Sequence, residues 1–410
     1  MSTAAPVEVT ATAEDLHSFG SILRARWVAL KSGDVGSLPV IIGIMAITAF
    51  FTSKTDIFFT AVNFSNLIGQ MAAVSVIAIG VVFVLLIGEI DLSIGFVSGV
   101  AGVVVAELQL PGSGHQLPGL IAIGGALLAG ALIGALQGSF VAFIGVPSFV
   151  VTLAGLLAWQ GVILKLLGTE GVIGIQDTQI NDVANYVLTK NAGWLIAIIF
   201  TAGLVAATLG TYISRWRAGL RSGNIVLTII RVGFFAGLAF AAVAVCNHSR
   251  GVPLVGLIVL FLVVLGAYVA NRTTFGRHVY AVGGNAEAAR RAGVNVKLIK
   301  VLVFSISGAM AAMGGIILAS RLNSVDLTAG GGTLLLDAIS AAVIGGVSLF
   351  GGRGRVSGAL FGGLIIGMIS NGVDLVGYTD ATKYITTGVI LLAAVTLDTL
   401  ARRRQAAAGR

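Results

Sequence analysis

Charge is scarce in this 410-residue chain: Asp, Glu, Lys and Arg together make up 10% of it, against 57% hydrophobic residues and a mean hydropathy of +1.01. That balance excludes an ordinary soluble globular domain. Cysteine is nearly absent. The one thiol, Cys246, lies in an apolar segment, which excludes a disulfide framework and reads as a small packing residue. The four histidines (His17, His115, His248, His278) are scattered through tails and loops, which leaves no metal site to expect. There is no P-loop. The nearest match, from Gly346 to Arg355, lacks the Lys-Ser/Thr that would reach a nucleotide's phosphates and magnesium. No His-Glu-x-x-His, cysteine cluster or Gly-x-Ser-x-Gly appears, so a hydrolase has no machinery and no cofactor is expected. Residues 1–36 carry no apolar core and no small-residue cleavage site, so they read as a polar cytoplasmic tail, not a secretory signal.

What is present is a series of apolar runs near the 17–25 residues needed to cross a bilayer. Turn signals and charges divide them into about twelve spans, near 38–53, 67–88, 92–107, 119–143, 148–168, 193–213, 225–246, 253–270, 299–320, 333–350, 357–376 and 382–400. The fold class is therefore an all-α polytopic integral membrane protein with about 10–12 transmembrane helices. Residues 37–401 form the membrane domain, and 402–410 form a second cytoplasmic tail. With both termini cytoplasmic, inner segments hold 18 of the 25 Lys/Arg and outer loops hold four. The net charge of +8 thus follows membrane topology and gives no reason to expect nucleic acid.

The least regular spans are the first, which is short, and the pair at 67–107. There Gly88-Glu89-Ile90-Asp91 interrupts the apolar run, and a broken or re-entrant helix fits as well as two crossings. The longest outer loop, 169–192, is polar. Fifty-seven glycines recur at G-x-x-x-G spacing (Gly95/Gly99, Gly130/Gly134/Gly138, Gly358/Gly362, Gly363/Gly367), a pattern that lets helix backbones approach closely.

One long polar block stands among the apolar runs, Asn271–Lys300, with six Lys/Arg (Arg272, Arg277, Arg290, Arg291, Lys297, Lys300) against Glu287. Its middle predicts a short helix: Asn285 is an N-cap, Ala286–Ala292 are good helix formers, and Gly293 stops it. Such an exposed helix fits a groove on a soluble partner, with Arg290 and Arg291 as polar contacts. The same arginines would also serve topology and anionic membrane lipids. The loop Gly352–Ser357 is a further basic cytoplasmic segment. Carboxylates inside spans would mark ion-coupled transport. The candidates are Glu89, Asp91 and Asp337, and Asp374 and Asp398 near span ends, with Ser93 beside the first pair and Arg321 a prospective charge partner of Asp337. Glu89 and Asp91 read equally as caps of the following helix.

The chain resembles the membrane-spanning permease subunits of bacterial ATP-binding-cassette sugar importers of the ribose/xylose type. The resemblance rests on Gly88-Glu-Ile-Asp-Leu-Ser-Ile-Gly95, Val146–Gly155, Thr274–Asn285, Glu287–Val296, Ser320-Arg-Leu-Asn323, Leu336-Asp-Ala-Ile-Ser340 and Gly345–Gly352, in family order over residues 60–400. The added pair of spans near 193–246 and the turn Arg250–Pro253 make it most similar to xylose-type members. The resemblance implies a homodimer in the bacterial inner membrane that works with cytoplasmic ATPase subunits and a periplasmic sugar-binding protein. It also implies that Gly284, Asn285, Glu287, Arg290, Arg291 and Gly293 belong to an ATPase-coupling loop. A neutral sugar would need hydroxyl, amide and aromatic side chains along its path; Asn66, Gln70, Gln137, Trp159, Gln160 and Asn371 are the candidates. The competing classes are an ion-coupled secondary transporter of a small polar solute and a membrane-embedded regulatory or assembly protein.

Overall fold

The computed structural model describes residues 38–112, 114, 116–219 and 225–407. The expected tail at 1–36, with His17, lies outside the described residues, as do His115, Arg221 and Arg410. Each of the twelve expected spans corresponds to a helix. In chain order these are α1 (Leu38–Thr52), α2 (Ala61–Leu86), α3 (Ile94–Gln109), α4 (Gly119–Ser139, prolonged by a π-helical turn at Phe140–Ile144) and α5 (Ser148–Leu167). The short α6 (Thr178–Asn185) leads to α7 (Lys190–Arg217), α8 (Ile225–His248) and α9 (Leu254–Arg272). The polar block holds α10 (Thr274–Gly284) and α11 (Ala286–Arg291). Beyond it come α12 (Val296–Leu322), α13 (Leu334–Ile344), α14 (Gly358–Val376) and α15 (Asp380–Ala407).

Eight of these helices are long and apolar enough to cross a membrane. The 26-residue α2, at 1.5 Å per residue, reaches about 39 Å, well beyond a hydrocarbon core of about 30 Å. With 16 and 11 residues, α3 and α13 reach only about 24 and 16 Å. Irregular backbone completes both: 87–93 precedes α3, and 327–333 precedes α13 along the flank of α3. Expected spans 92–107 and 333–350 are therefore partial helices. Non-helical backbone at membrane depth needs protein or water around it; in these runs Ile87, Asp91 and Ser93 are buried, while Gly88, Ile90, Leu327, Thr328 and Gly332 are exposed. The expected start of the second span at 67 was late. Thr60 caps α2 by accepting from Asn63 N, and Asn63 in the first turn exchanges two hydrogen bonds with Asn371 on α14 (2.8 and 2.9 Å). A paired amide costs little in an apolar bundle, whereas an unpaired one carries the cost of its lost hydration.

The central helix is α12, which packs most extensively against α4, α2 and α3. Every predicted glycine seam lies on a close contact, three of the four with a neighbouring helix segment and one with the irregular run 327–333. Gly130, Gly134 and Gly138 face the backbone of α12 at Gly308, Phe304 and Val301. Gly95 and Gly99 face Ala329–Gly330, Gly358 and Gly362 face Gly345 and Ala341 of the α13 segment, and Gly363 and Gly367 face Ser75 and Met71 of α2. In lipid no hydrophobic force draws helices together, so such close backbone packing is itself the cohesion. Helices α7 and α8 pair with each other and reach the rest mainly through α2; their remaining faces are apolar and exposed.

At one end of the bundle the 169–192 loop is ordered rather than an open turn. A strand β1 (Val172–Gly174) pairs antiparallel with β2 (Ser324–Asp326), with Ile173 opposite Val325. Gln109 at the end of α3 accepts from Gln176 and Asp177 N and donates to Gly174 O. The polar block 271–300 lies at the opposite end.

Candidate functional site

The break between α2 and α3 is held from four directions. Ile90 N donates to Ser148 Oγ at the start of α5 (3.2 Å), and Thr152 Oγ1 lies 3.4 Å from Ile90 O. Glu89 accepts from Lys300 Nζ in α12, and both side chains are mostly buried (18% and 23% exposed). Asp91, buried, receives Ser93 N (3.0 Å), Ser93 Oγ (2.7 Å) and, across the bundle, Ser307 Oγ of α12 (3.0 Å). Gly88 lies beside Phe350 and Gly351 of the α13–α14 loop, and Leu86 O accepts from Gly352 N (2.9 Å). Asp91 accepts from the N–H of Ser93, the N-cap residue of α3, and so closes the turn that leads into the helix.

The polar block reaches the same place. It is not one loop around a helix but two helices, and α10 docks through buried Gly276, Val279 and Val282. Tyr280 Oη donates to Gly354 O (2.8 Å), and a Cβ at Gly283 would collide with Leu86 O and lie 2.7 Å from Gly352 N. Burial pushes the Tyr280 phenol up, with Arg355 nearby opposing that. Gly284, named from the sequence, has nothing within 4 Å of its would-be Cβ; the tight contact belongs to Gly283, which sequence reasoning missed. Either residue of a Gly-Gly pair could have made it, and no local signal separates them.

Helix α11 forms as its sequence predicts. Asn285 Oδ1 accepts from Ala288 N (2.9 Å). Gly293, at φ +86°, lets Gly293 N reach Arg290 O and Val294 N reach Ala289 O, which closes the C-terminus in a Schellman turn. Two residues later Asn295 caps α12 by accepting from Leu298 N (3.0 Å). Arg290 and Arg291 are exposed (70% and 79%), and both bond Glu287 at 3.0 Å. Arg290 first, and then Arg291, hold the Glu287 carboxyl below its ordinary range.

Other candidates lie apart. Asp337, in the first turn of α13, accepts from Thr333 Oγ1 (2.7 Å) and faces Lys383 electrostatically. Arg321, at the end of α12, faces Asp374. The expected Arg321–Asp337 pairing is thus corrected: Asp337 is taken up by Thr333 and Lys383, and Arg321 by Asp374. Of the candidate path residues, Asn66 and Gln160 are exposed. Gln137 reaches the break through Ser93 Oγ (2.9 Å), and the Gln137 Nε2 and Trp159 Nε1 nitrogens flank Gly155. Among the described residues no group of three His, Cys, Asp or Glu could hold a metal ion.

The polar block thus meets the bundle through α10 and presents α11 to solvent, and known transport proteins are similar in sequence throughout. Residues 63–395 match the family described as branched-chain amino acid transport system / permease component. The xylose transport system permease protein XylH of Escherichia coli is 38% identical over 377 residues, 92% of this chain and 94% of that protein. Its Haemophilus influenzae counterpart is 37% identical over 380 residues, covering 92% and 99%. The Escherichia coli ribose import permease protein RbsC is 32% identical over 361 residues, covering 87% and 92%. No solved structure gives a significant match. The chain belongs to this family of transport-system permease components: it is a multi-pass membrane protein that serves transport and is not itself an enzyme.

Proposed function

We propose that this chain is the transmembrane subunit of an ATP-binding-cassette importer that moves a monosaccharide, D-xylose or a similar pentose, across the bacterial inner membrane. Its energy comes from ATP hydrolysed by a separate cytoplasmic subunit, and a periplasmic binding protein delivers the sugar. Two copies of the chain form the pathway, with both termini cytoplasmic and membrane lipids against the apolar outer faces. The sugar class follows from the relatives named for xylose and ribose.

The observation that carries this reading is α11. It is exposed, capped at both ends, basic in its last turn, and continuous with an α10 that packs on the α2–α3 break. A groove on the ATPase would take α11, and Gly284, Asn285, Glu287, Arg290, Arg291 and Gly293 would form that contact. Displacement of α11 would then move the break, where Glu89, Asp91 and Ser93 sit. Asp337 and Arg321 would act in gating at α13 and at the opposite end of the bundle. The ion-coupled alternative loses support from the same geometry. It needs carboxylates free to take up and release an ion, whereas Glu89 is paired with Lys300 and Asp91 accepts three hydrogen bonds.

Expression of the chain beside its genomic neighbours tests this assignment. An ATP-binding subunit should co-purify with it, and deletion of the chain should abolish uptake of one pentose. Undiminished uptake in the deletion strain would reject it.

A further inference from the structure

We propose that the Glu89–Lys300 ion pair is the positioning contact that ties the α2–α3 break to the 271–300 region, so that sugar movement follows the nucleotide cycle. This inference rests on the ATP-driven reading above. The two residues are 211 apart in sequence, yet they join the two features the sequence set apart as polar: the break in the apolar run and the basic block. The basic residues of that block have different uses. Arg290 and Arg291 stay within α11 on Glu287, and Lys297 lies over the Phe143 ring (5.5 Å). Lys300 instead crosses to another element and is largely withdrawn from solvent.

The linkage behind Lys300 is stiff. The Schellman turn that ends α11 leads directly into the Asn295 cap of α12, and Lys300 stands just over one turn further on. The linkage beyond Glu89 is equally stiff. Gly88 lies beside Phe350–Gly351 and Ile90 is clamped by Ser148 and Thr152, so a shift of the Glu89 backbone carries α3's entry and its Asp91–Ser93 turn. A push on α11 therefore arrives at the break through two routes, the Gly283 backbone contact and this ion pair. Only the pair carries opposite charges that can part and rejoin. Loss of one partner strands a charge that is mostly out of water, while exchange of the two preserves the attraction.

The test uses the full complex of chain, ATPase and binding protein in liposomes, with D-xylose transport and ATP hydrolysis measured together. Lys300→Glu and Glu89→Lys should each lower the sugar moved per ATP at least tenfold. The double variant Glu89→Lys/Lys300→Glu should regain at least half of the wild-type ratio. A purely structural role would lower recovery of the complex and leave the ratio of the recovered protein unchanged; that result overturns the proposal, as does a double variant no better than either single one. Lys300→Gln, which removes the charge and leaves a shorter polar side chain, is read in the same way if Lys300→Glu is not recovered. A wild-type complex that hydrolyses ATP but moves no sugar rejects the functional reading itself, whatever the variants do.

Discussion

Gly134→Val is expected to abolish recovery of folded protein. A Cβ at Gly134 would collide with the carbonyl of Phe304 and lie 3.1 Å from the Ser305 Cα, so the obstacle is the backbone of α12 and no rotamer change relieves it. Overpacking of a filled core costs about 1–3 kcal/mol where side chains yield; here two helices must separate. Their separation also opens the flanking contacts of Gly130 with Gly308 and of Gly138 with Val301. The loss should exceed about 3 kcal/mol, a large part of the stability of an ordinary domain. Because α12 is the hub of the bundle, the damage spreads to α2 and α3. Gly203→Ala in α7 is the control, since a Cβ there meets nothing within 4 Å. Fluorescence-detected gel filtration in mild detergent should show a monodisperse peak for the control and at least a tenfold smaller one for Gly134→Val. Equal peaks would show that the glycine seams are not what holds the bundle.

Arg290→Glu/Arg291→Glu should detach the ATPase. The two side chains are exposed and bonded to no other element, so their replacement leaves the packing of α10 on the break intact. It reverses both charges beside Glu287 and presents an acidic turn where a basic one stood. Truncation or reversal at a charged contact costs about 2–5 kcal/mol of affinity, a loss of about 30-fold or more. Co-purified ATPase should fall accordingly, while the membrane chain itself is recovered at wild-type level. If these arginines served only topology or anionic lipid headgroups, the opposite pattern would appear: insertion would suffer and the complex that did form would keep its ATPase.

How much of this the sequence displayed depended on how local each feature is. The long helices were legible because an apolar run of crossing length suits a bilayer and little else. Helix α11 was legible because its cap, its formers and its stop all lie within nine residues. The glycine seams were legible as spacing, but their partners were not. Gly95 meets Gly330, and Gly362 meets Ala341, through packing that no window of sequence contains. The break at Gly88–Asp91 announced itself as an ambiguity, and its resolution lay elsewhere: Glu89 is answered by Lys300 and Asp91 by Ser307. The three-residue strands at 172–174 and 324–326 gave no alternating pattern to detect. The same distance effect misled the reading of Arg321 and Asp337. A shared apolar boundary placed them together, whereas Asp337 is taken up by Thr333 and Lys383, and Arg321 by Asp374.

Whether ATP hydrolysis, transmitted through α11, powers sugar uptake is read most directly from radiolabelled D-xylose entering liposomes. These contain the chain, its ATPase and its binding protein, with ionophores collapsing proton and sodium gradients. Uptake should require ATP and binding protein together and persist without any ion gradient. Uptake driven by an imposed ion gradient in liposomes lacking ATP would contradict the coupling described for α11 and the break it rests on.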